Sequence, residues 1–336
     1  MLFRWINAII AIASPRLWHR LIWPNLYAPF HMLLIMNLNN TALSNAIHDA
    51  FKQHYKQLPH LTYTDVIDVL TQCTRLHSPS NHFKSEQLQQ STLGRECYKL
   101  AYAQLQTHKQ AFEWSVLLAT SANALDSLDV TWHDKSKYLK SVCQHLPDSY
   151  YARLQEYGPL IEHLKQALPN QTVLYECDNH GEIWFDFLLI HWLLQHNCRV
   201  FLAAKATPVA NDVTHDDLIH LLDYPELESL KQAQKNHKLQ IISTGSKVTG
   251  RPAYQTSQAY KTAYAQATIV FLKGQGNFST TPMAHYRWGR LTWYNYQKPV
   301  IYFMVVKARL IQAYLSWLGM PRNQGDLFIY QYTGVV

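Results

Sequence analysis

The second half of this chain alternates short apolar segments with helical ones, and this alternation constrains the fold more than any other feature. Each apolar segment is rich in β-branched residues and apolar throughout, as a parallel strand buried on both faces is. The segments are QTVLYEC (171–177), CRVFLAA (198–204), LQIIST (239–244), ATIVFLK (267–273) and PVIYFMVV (299–306). The pattern predicts an α/β fold, a three-layer, doubly wound, mostly parallel sheet of the Rossmann-like class.

Helical spacing of apolar residues fills the rest of the chain. Between and after the predicted strands it predicts helices over 182–196, 215–224, 257–266, 282–288 and 308–318. Upstream it predicts helices over 41–55, 62–73 and two within 93–126, with a loop at 77–83. We therefore divide the chain into an apolar N-terminal extension (1–35), an all-helical domain or cap (36–168) and an α/β domain (169–336).

The N-terminal extension has three interpretations. Its apolar runs are interrupted by Pro24, Pro29 and His31, and no stretch reaches the ~18 apolar residues of a spanning helix. It is a packed amphipathic segment, an interfacial anchor, or sequence upstream of a true start at Met32 or Met36. No membrane span is expected.

Composition indicates the cellular compartment and the classes of partner to expect. The net charge is +7, but the Lys and Arg residues are scattered without a basic run, so no nucleic-acid partner is expected. The five cysteines include no CxxC pair, which argues against a disulfide framework and a thiolate zinc site. A reducing, cytoplasmic location is the simplest expectation. The sequence leaves the oligomeric state open.

Polar residues follow the predicted strands where a parallel sheet places its ligand crevice. Asp178 and Asn179 follow the first strand, and Asn211 and Asp212 follow the second. Carboxylate and amide oxygens are hard ligands that suit Mg²⁺ or Mn²⁺. Helix capping is the alternative interpretation of the first pair, since Asp and Asn are common before helices. Asp212 is a better candidate ligand than Asp216 or Asp217, because it lies upstream of the predicted helix and nearer the strand end.

Further acidic and basic residues surround these positions. Asp216 and Asp217 are interpreted as partners of a helix dipole rather than as ligands. LKGQGNF (272–278) predicts a turn whose backbone amides and Lys273 approach an anion. Thr244–Gly245 and Lys307 complete the rim, although Lys307 also suits a helix start.

At these residues the chain resembles the metal-dependent damage-control phosphatases, whose metal-binding domain also occurs in proteins described as protein-glutamate carboxyl methyltransferases. The similarity is strong over 171–320 and extends weakly to SANALD (121–126). The chain departs from the stand-alone branch of this family by lacking an N-terminal CxxC and by carrying the apolar extension. The motifs that carry the resemblance are DNHGEIWFD (178–186), NDVTHDD (211–217), TG (244–245), KGQGNF (273–278) and VVK ending at Lys307.

The resemblance implies a role for each matched residue. Asp178, Asn179 and Asp212 hold a divalent metal ion, which is Mn²⁺, Co²⁺, Ni²⁺ or Mg²⁺, and Asp178, Asp212 and Lys273 form the catalytic set. Independently of the resemblance, Glu182, Asp186 and Asn211 are expected to orient the metal ligands. The residues expected to bind the substrate phosphate are Lys273, Gly274, Gln275, Gly276, Asn277 and Lys307. Asn123 and Asp126 are expected to contact the substrate from the cap side.

The function expected from these residues is metal-assisted hydrolysis of a small phosphomonoester, such as a sugar phosphate or a damaged phosphometabolite. Either water or a carboxylate such as Asp178 is the nucleophile, and the sequence does not separate the two. Two alternatives stay open. One is carboxyl methyl transfer from S-adenosylmethionine, which the absence of a glycine-rich turn after the first strand disfavours. The other is a non-catalytic module that binds metal and phospholigand.

Overall fold

The structure, a computed structural model, describes residues 84–126, 132–144, 148–281, 297–307 and 309–333. Several predicted segments lie outside these residues, namely the N-terminal extension (1–35), the helices at 41–55, 62–73 and 282–288, and the loop at 77–83. The side chain of Asp126 also lies outside the described part of the chain.

Helices and strands alternate along most of the described chain. The helices are α1 (Lys84–Leu105), α2 (Ala111–Ser121), α3 (Trp132–Gln144), α4 (Asp148–Ala167), α5 (Ile183–Gln195), α6 (His215–Leu221), α7 (Glu228–Lys235), α8 (Gln258–Gln266), α9 (Gly274–Ser279) and α10 (Arg309–Trp317). A 3-10 segment, Ala122–Asp126, continues α2. The strands are β1 (Thr172–Glu176), β2 (Arg199–Ala204), β3 (Leu239–Ser243), β4 (Ile269–Lys273), β5 (Val300–Val305) and β6 (Leu327–Tyr332).

The strands form one six-stranded sheet in the order β3-β2-β1-β4-β5-β6. β1 to β5 are parallel, and β6 pairs with β5 in the antiparallel sense. The predicted doubly wound, mostly parallel sheet is therefore confirmed. Its chain order reverses between β1 and β4, and ligand crevices of open α/β sheets form at such a switch point.

Several elements differ from the sequence prediction. α3 and α4 lie within the predicted helical domain but were not predicted as individual helices. β6 was not predicted, because its apolar run LFIY (327–330) is short and only its first half is buried. α7 was not predicted, because Leu230 is its buried residue and the rest is polar. The predicted glycine-rich turn is instead the short helix α9, since burial of Asn277 and Phe278 outweighs the low helix propensity of glycine.

Two apolar layers cover the sheet. Val173 and Tyr175 of β1 point into the layer formed with α1 to α7, whereas Leu174 points into the layer formed with α8 to α10. This alternation along one strand is the period of two expected for a sheet covered on both faces.

The helical part shares its core with the sheet. Tyr98 of α1 and Trp114 of α2 belong to the same buried cluster as Trp184 of α5. Gly94 of α1 meets Gly181, the residue two positions before α5, so closely that a Cβ at Gly94 would lie 2.5 Å from the Gly181 carbonyl oxygen. The division at residue 168 stays a prediction, and the described helices are packed directly on the α/β part.

Helix α5 is apolar because it is buried. Its residues from Ile183 to Leu193 are all buried. It spans 13 residues, whereas crossing a bilayer takes roughly 20. Among the residues that the structure describes, no helix combines the length and the apolar character needed to cross a membrane.

Candidate active site

The residues predicted after β1 and after β4 meet at the switch point of the sheet. Asp178 follows β1, and Gly274 directly follows Lys273, the last residue of β4. The Asp178 carboxylate lies so close to Gly274 that a Cβ there would be 1.8 Å from Oδ2. Gly274 has a φ of +77°, so the backbone conformation also favours glycine. A carboxylate is thus held at the floor of the expected crevice.

A backbone bridge brings the loop after β2 to the same place. Asn179 and Asp212 form an isolated antiparallel bridge. Val213 N donates to Asp178 O at 2.8 Å, which extends this pairing. The side chains of Asp178, Asn179 and Asp212 are all buried. The three residues predicted to ligate a metal ion are therefore neighbours in the folded chain.

Two amide side chains orient the Asp178 carboxylate. Asn123 Nδ2 donates to Asp178 Oδ2 at 3.0 Å and to Glu182 Oε2 at 2.8 Å. Asn179 Nδ2 donates to the same two oxygens at 2.9 and 3.1 Å. Val305 N donates to Asn123 Oδ1 at 3.1 Å, which fastens the 3-10 segment to β5. Glu182 and Asp178 thus share the same two amide donors, and Asn123 contacts the predicted site through Asp178.

Lys273 is not at the rim, where the sequence placed it, but fully buried. Its Nζ lies 2.6 Å from Glu182 Oε1 and 2.6 Å from Asp186 Oδ1, and donates to Ala119 O at 2.6 Å. Burial acts to lower the pKa of Lys273, but the two carboxylates outweigh it and raise the pKa above its ordinary value. Its predicted contact with phosphate stays a prediction.

Asp186 is buried and contacts Lys273 and Tyr175. Burial raises the pKa of Asp186 to about 7, although Lys273 acts in the opposite direction. Tyr175 OH donates to Asp186 Oδ1 at 2.7 Å. Glu182, the N-cap of α5, and Asp186 in its first turn therefore both pair with Lys273. This buried charge network connects α5 to the end of β4.

The segment 274–277 holds neighbouring loops together. Asn277 Nδ2 donates to Cys177 O at 3.0 Å and to Lys273 O at 2.9 Å, so its amide joins the ends of β1 and β4. Gln275 and Gly276 are half-buried, as is Lys307 after β5. Their predicted contacts with substrate stay predictions, as do those of Asn123 and Asp126.

The interpretation of Asp217 as a helix partner is confirmed. Thr214 caps α6, and Asp217 completes the capping box by accepting from Thr214 N at 2.9 Å. Burial acts to raise the pKa of Asp217, but hydrogen bonds from His180 and Thr214 outweigh it and lower the pKa to about 2. Asp216 also lies in the first turn of α6, at the positive end of the helix dipole.

The donor set fits a hard divalent cation. Among the described residues no group of three His, Cys, Asp or Glu side chains has a metal-binding arrangement. The predicted set instead combines two carboxylates with one carboxamide. The nitrogen of Asn179 is engaged by Asp178 and Glu182, so its carbonyl oxygen is the atom suited to a cation. Oxygen ligands of this kind suit Mg²⁺ or Mn²⁺.

Comparison with known proteins identifies the family. The sequence model of one protein family, the damage-control phosphatase ARMT1-like domain, matches residues 41–316. The chain belongs to this family. The resemblance inferred from the motifs is thereby confirmed. This family is described as damage-control phosphatases, and it is generally metal-dependent.

Two curated proteins are similar to parts of this ARMT1-like domain. The damage-control phosphatase PH1575 of Pyrococcus horikoshii is 32% identical over 174 residues, which cover 51% of this chain and 54% of that protein. Uncharacterized protein MJ0202 of Methanocaldococcus jannaschii is 27% identical over 141 residues, which cover 41% of this chain and 39% of that protein. These matches thus span about half or less of each relative.

A solved structure supports the fold of the ARMT1-like domain. The crystal structure of PH1575 from Pyrococcus horikoshii, described as a DUF89 family protein, matches with a TM-score of 0.58 at 23% identity. The match covers 85% of this chain and 87% of that chain. At this identity the likeness shows a shared fold.

Two buried, positively charged side chains of the ARMT1-like domain, Lys205 and Arg251, were not predicted from the sequence. Lys205 Nζ donates to Gly250 O at 2.5 Å and lies 3.5 Å from Asp212 Oδ2, so it joins the loops after β2 and β3. Arg251 Nε lies 3.0 Å from Glu176 Oε2 at the end of β1. Lys205 directly follows β2 as Lys273 ends β4, and this parallel was the available signal. The sequence around Arg251 carries no comparable signal.

Proposed function

We propose that this chain is a metal-dependent phosphatase that hydrolyses small phosphomonoesters, such as sugar phosphates or damaged phosphometabolites. The observation that carries the proposal is the bridge between Asn179 and Asp212, which joins both residues to Asp178 at the switch point of the sheet. Family membership supports the phosphatase class. The metal ion, Mn²⁺, Co²⁺, Ni²⁺ or Mg²⁺, would be held by Asp178, Asn179 and Asp212.

The chain's own residues would then have distinct tasks. Asn123 and Glu182 keep the Asp178 carboxylate and the Asn179 amide in one orientation, so less ordering is needed on binding. A bound divalent cation would polarise the phosphoryl group and offset the charge on its oxygens. Lys307 and the segment 274–277 are proposed to receive the phosphate. Lys273 would position the site by pairing with Glu182 and Asp186, which offset its charge, and its contact with phosphate is part of the proposal.

The first test is metal-dependent turnover. Purified protein is stripped of metal and reloaded separately with Mg²⁺, Mn²⁺, Co²⁺ and Ni²⁺, and phosphate release is measured from p-nitrophenyl phosphate and a panel of sugar phosphates. We expect release with at least one ion, and a loss of at least ~100-fold in Asp178→Asn and Asp212→Asn, because a ligand charge disappears. Asp216→Asn is the matched control, because its exposed carboxylate belongs to the helix start.

Other outcomes of the same experiment would favour the alternatives. A protein that binds metal by calorimetry but releases no phosphate with any ion would contradict the phosphatase proposal. Binding of S-adenosylmethionine would then favour the carboxyl methyltransferase, and phospholigand affinity without turnover would favour the binding module. Trapping of a phospho-aspartate would assign the nucleophile to a carboxylate and exclude water.

A further inference from the structure

Helix α1 contacts the loop that carries Asp212, at the two residues immediately before it. Gln87 Nε2 donates to Ala210 O at 3.0 Å. Asn211 Nδ2 donates to Gln90 Oε1 in a short hydrogen bond. Both glutamine side chains are buried, and they lie about one helical turn apart on the same face of α1. Two residues of the helical part thus bind two consecutive residues of the ligand loop.

The loop needs such support because its backbone is strained. Ala210 has a φ of +45°, in the left-handed region where a Cβ is unfavourable. Strained residues of this kind persist only where surrounding contacts impose the conformation, and they cluster at functional sites. Asp212 N donates to Val209 O at 2.9 Å, which closes the turn around Ala210. The position of Asp212 therefore depends on keeping Ala210 and Asn211 in place.

The same helix also contacts the loop after β1. Gly181 lies so close to Gln90 that a Cβ there would be 2.9 Å from the Gln90 Cβ. The Gln90 side chain is itself fixed, because its Nε2 donates to Glu86 Oε1 at 2.9 Å. His180 N donates to Asn211 O at 3.1 Å, which joins the two loops beside this contact. Helix α1 is thus a common support for the loops that carry Asp178, Asn179 and Asp212.

We propose that Gln87 and Gln90 are positioning residues that set the metal affinity of the candidate site. They act through Ala210 and Asn211, holding Asp212 at the bridge to Asn179 before the ion binds. Without these hydrogen bonds the loop samples other conformations, and metal binding has to select the competent one, which weakens the observed affinity. This inference rests on the proposed function, because it assumes that Asp212 is a metal ligand.

The test compares metal affinity with stability. The variant Gln87→Met/Gln90→Met keeps side-chain length and removes the hydrogen bonds, and Gln89→Met on the exposed face of α1 is the matched control. Mn²⁺ affinity is measured from the electron paramagnetic resonance signal of free Mn²⁺, and the Tm of metal-free protein by differential scanning calorimetry. We expect the Mn²⁺ Kd to rise at least ~10-fold in the double variant and less than ~2-fold in Gln89→Met.

The single variants keep the test usable if the double variant does not fold. We expect Gln87→Met and Gln90→Met each to raise the Mn²⁺ Kd about threefold. A lower Tm with an unchanged Kd in these variants would show a purely structural role and overturn the inference. If the wild-type protein does not bind Mn²⁺, the same variants are compared by calorimetry with Mg²⁺, Co²⁺ and Ni²⁺. A wild-type protein that binds none of the four ions would overturn the proposed function, and this inference with it. Wild-type binding with equally tight binding in every variant would overturn this inference alone.

Discussion

The Asp178 carboxylate lies directly against the Cα of Gly274. A Cβ at this glycine would be 1.8 Å from Oδ2 and 2.3 Å from Cγ, closer than any side chain permits. The contact joins the end of β1 to the end of β4, the two strands on either side of the switch point. A glycine is therefore required here by the carboxylate as well as by its φ of +77°.

Gly274→Ala is expected to remove metal-dependent phosphatase activity by displacing Asp178. We expect phosphate release to fall at least ~100-fold and the Mn²⁺ Kd to rise, because a ligand charge leaves its position. Gly325→Ala is the matched control, since Gly325 has a φ of +88° but no neighbouring atom within 4 Å of a Cβ. Both variants carry a similar backbone strain of roughly 1 kcal/mol. Equal activities in the two variants would contradict the prediction.

Lys273→Met is expected to destabilise the protein strongly. Removing one partner of a buried ion pair leaves uncompensated charge and costs about 3–5 kcal/mol, here at Glu182 and Asp186. Urea unfolding of the metal-free protein measures the change, and the exposed Lys261→Met is the control, expected within about 0.5 kcal/mol of wild type. A raised KM with unchanged unfolding free energy would instead assign Lys273 to the phosphate.

Lys205→Met is expected to separate metal-free stability from metal binding. Lys205 Nζ lies 3.5 Å from Asp212 Oδ2, so its removal destabilises the metal-free protein while abolishing a charge that repels a bound cation. The Tm should fall without metal, and the Tm increase on adding Mn²⁺ should exceed that of wild type. The exposed Lys247→Met tests for a general charge effect. A Tm increase on adding Mn²⁺ that is smaller in Lys205→Met than in wild type would contradict the prediction that Lys205 opposes metal binding.

His191 is expected to make the protein less stable in mild acid. Burial lowers the pKa of His191 to about 4, whereas an unfolded histidine titrates near 6.5. The unfolded state therefore binds more protons between these values, and stability falls as the pH is lowered through this window by about 1.4 kcal/mol per pH unit. His191→Gln should flatten the dependence of the unfolding free energy on pH. The exposed His163→Gln should leave it unchanged, and equal slopes would disprove the prediction.

Much of the sheet was predictable from the sequence, and so was the proximity of Asn179 and Asp212 at its edge. The five parallel strands lie within one or two residues of the predicted ranges, because strands buried on both faces are continuously apolar. β6 was missed because its second half is only partly buried and its buried and exposed residues do not alternate. α9 was missed because its glycines signal a turn, while its helical form depends on the burial of Asn277 and Phe278.

The sequence by itself determined which residue types follow the strands, and so which residues are candidates for the site. A strand end is a local property, and Asp178, Asn179 and Asp212 each follow one. The tertiary structure decided how these residues are supported. Gln87 and Ala210 are 123 residues apart, Asn211 and Gln90 are 121 apart, and Lys273 is 87 residues from Asp186. Such pairs are set by the packing of whole elements, because a side chain's local sequence does not specify a distant partner.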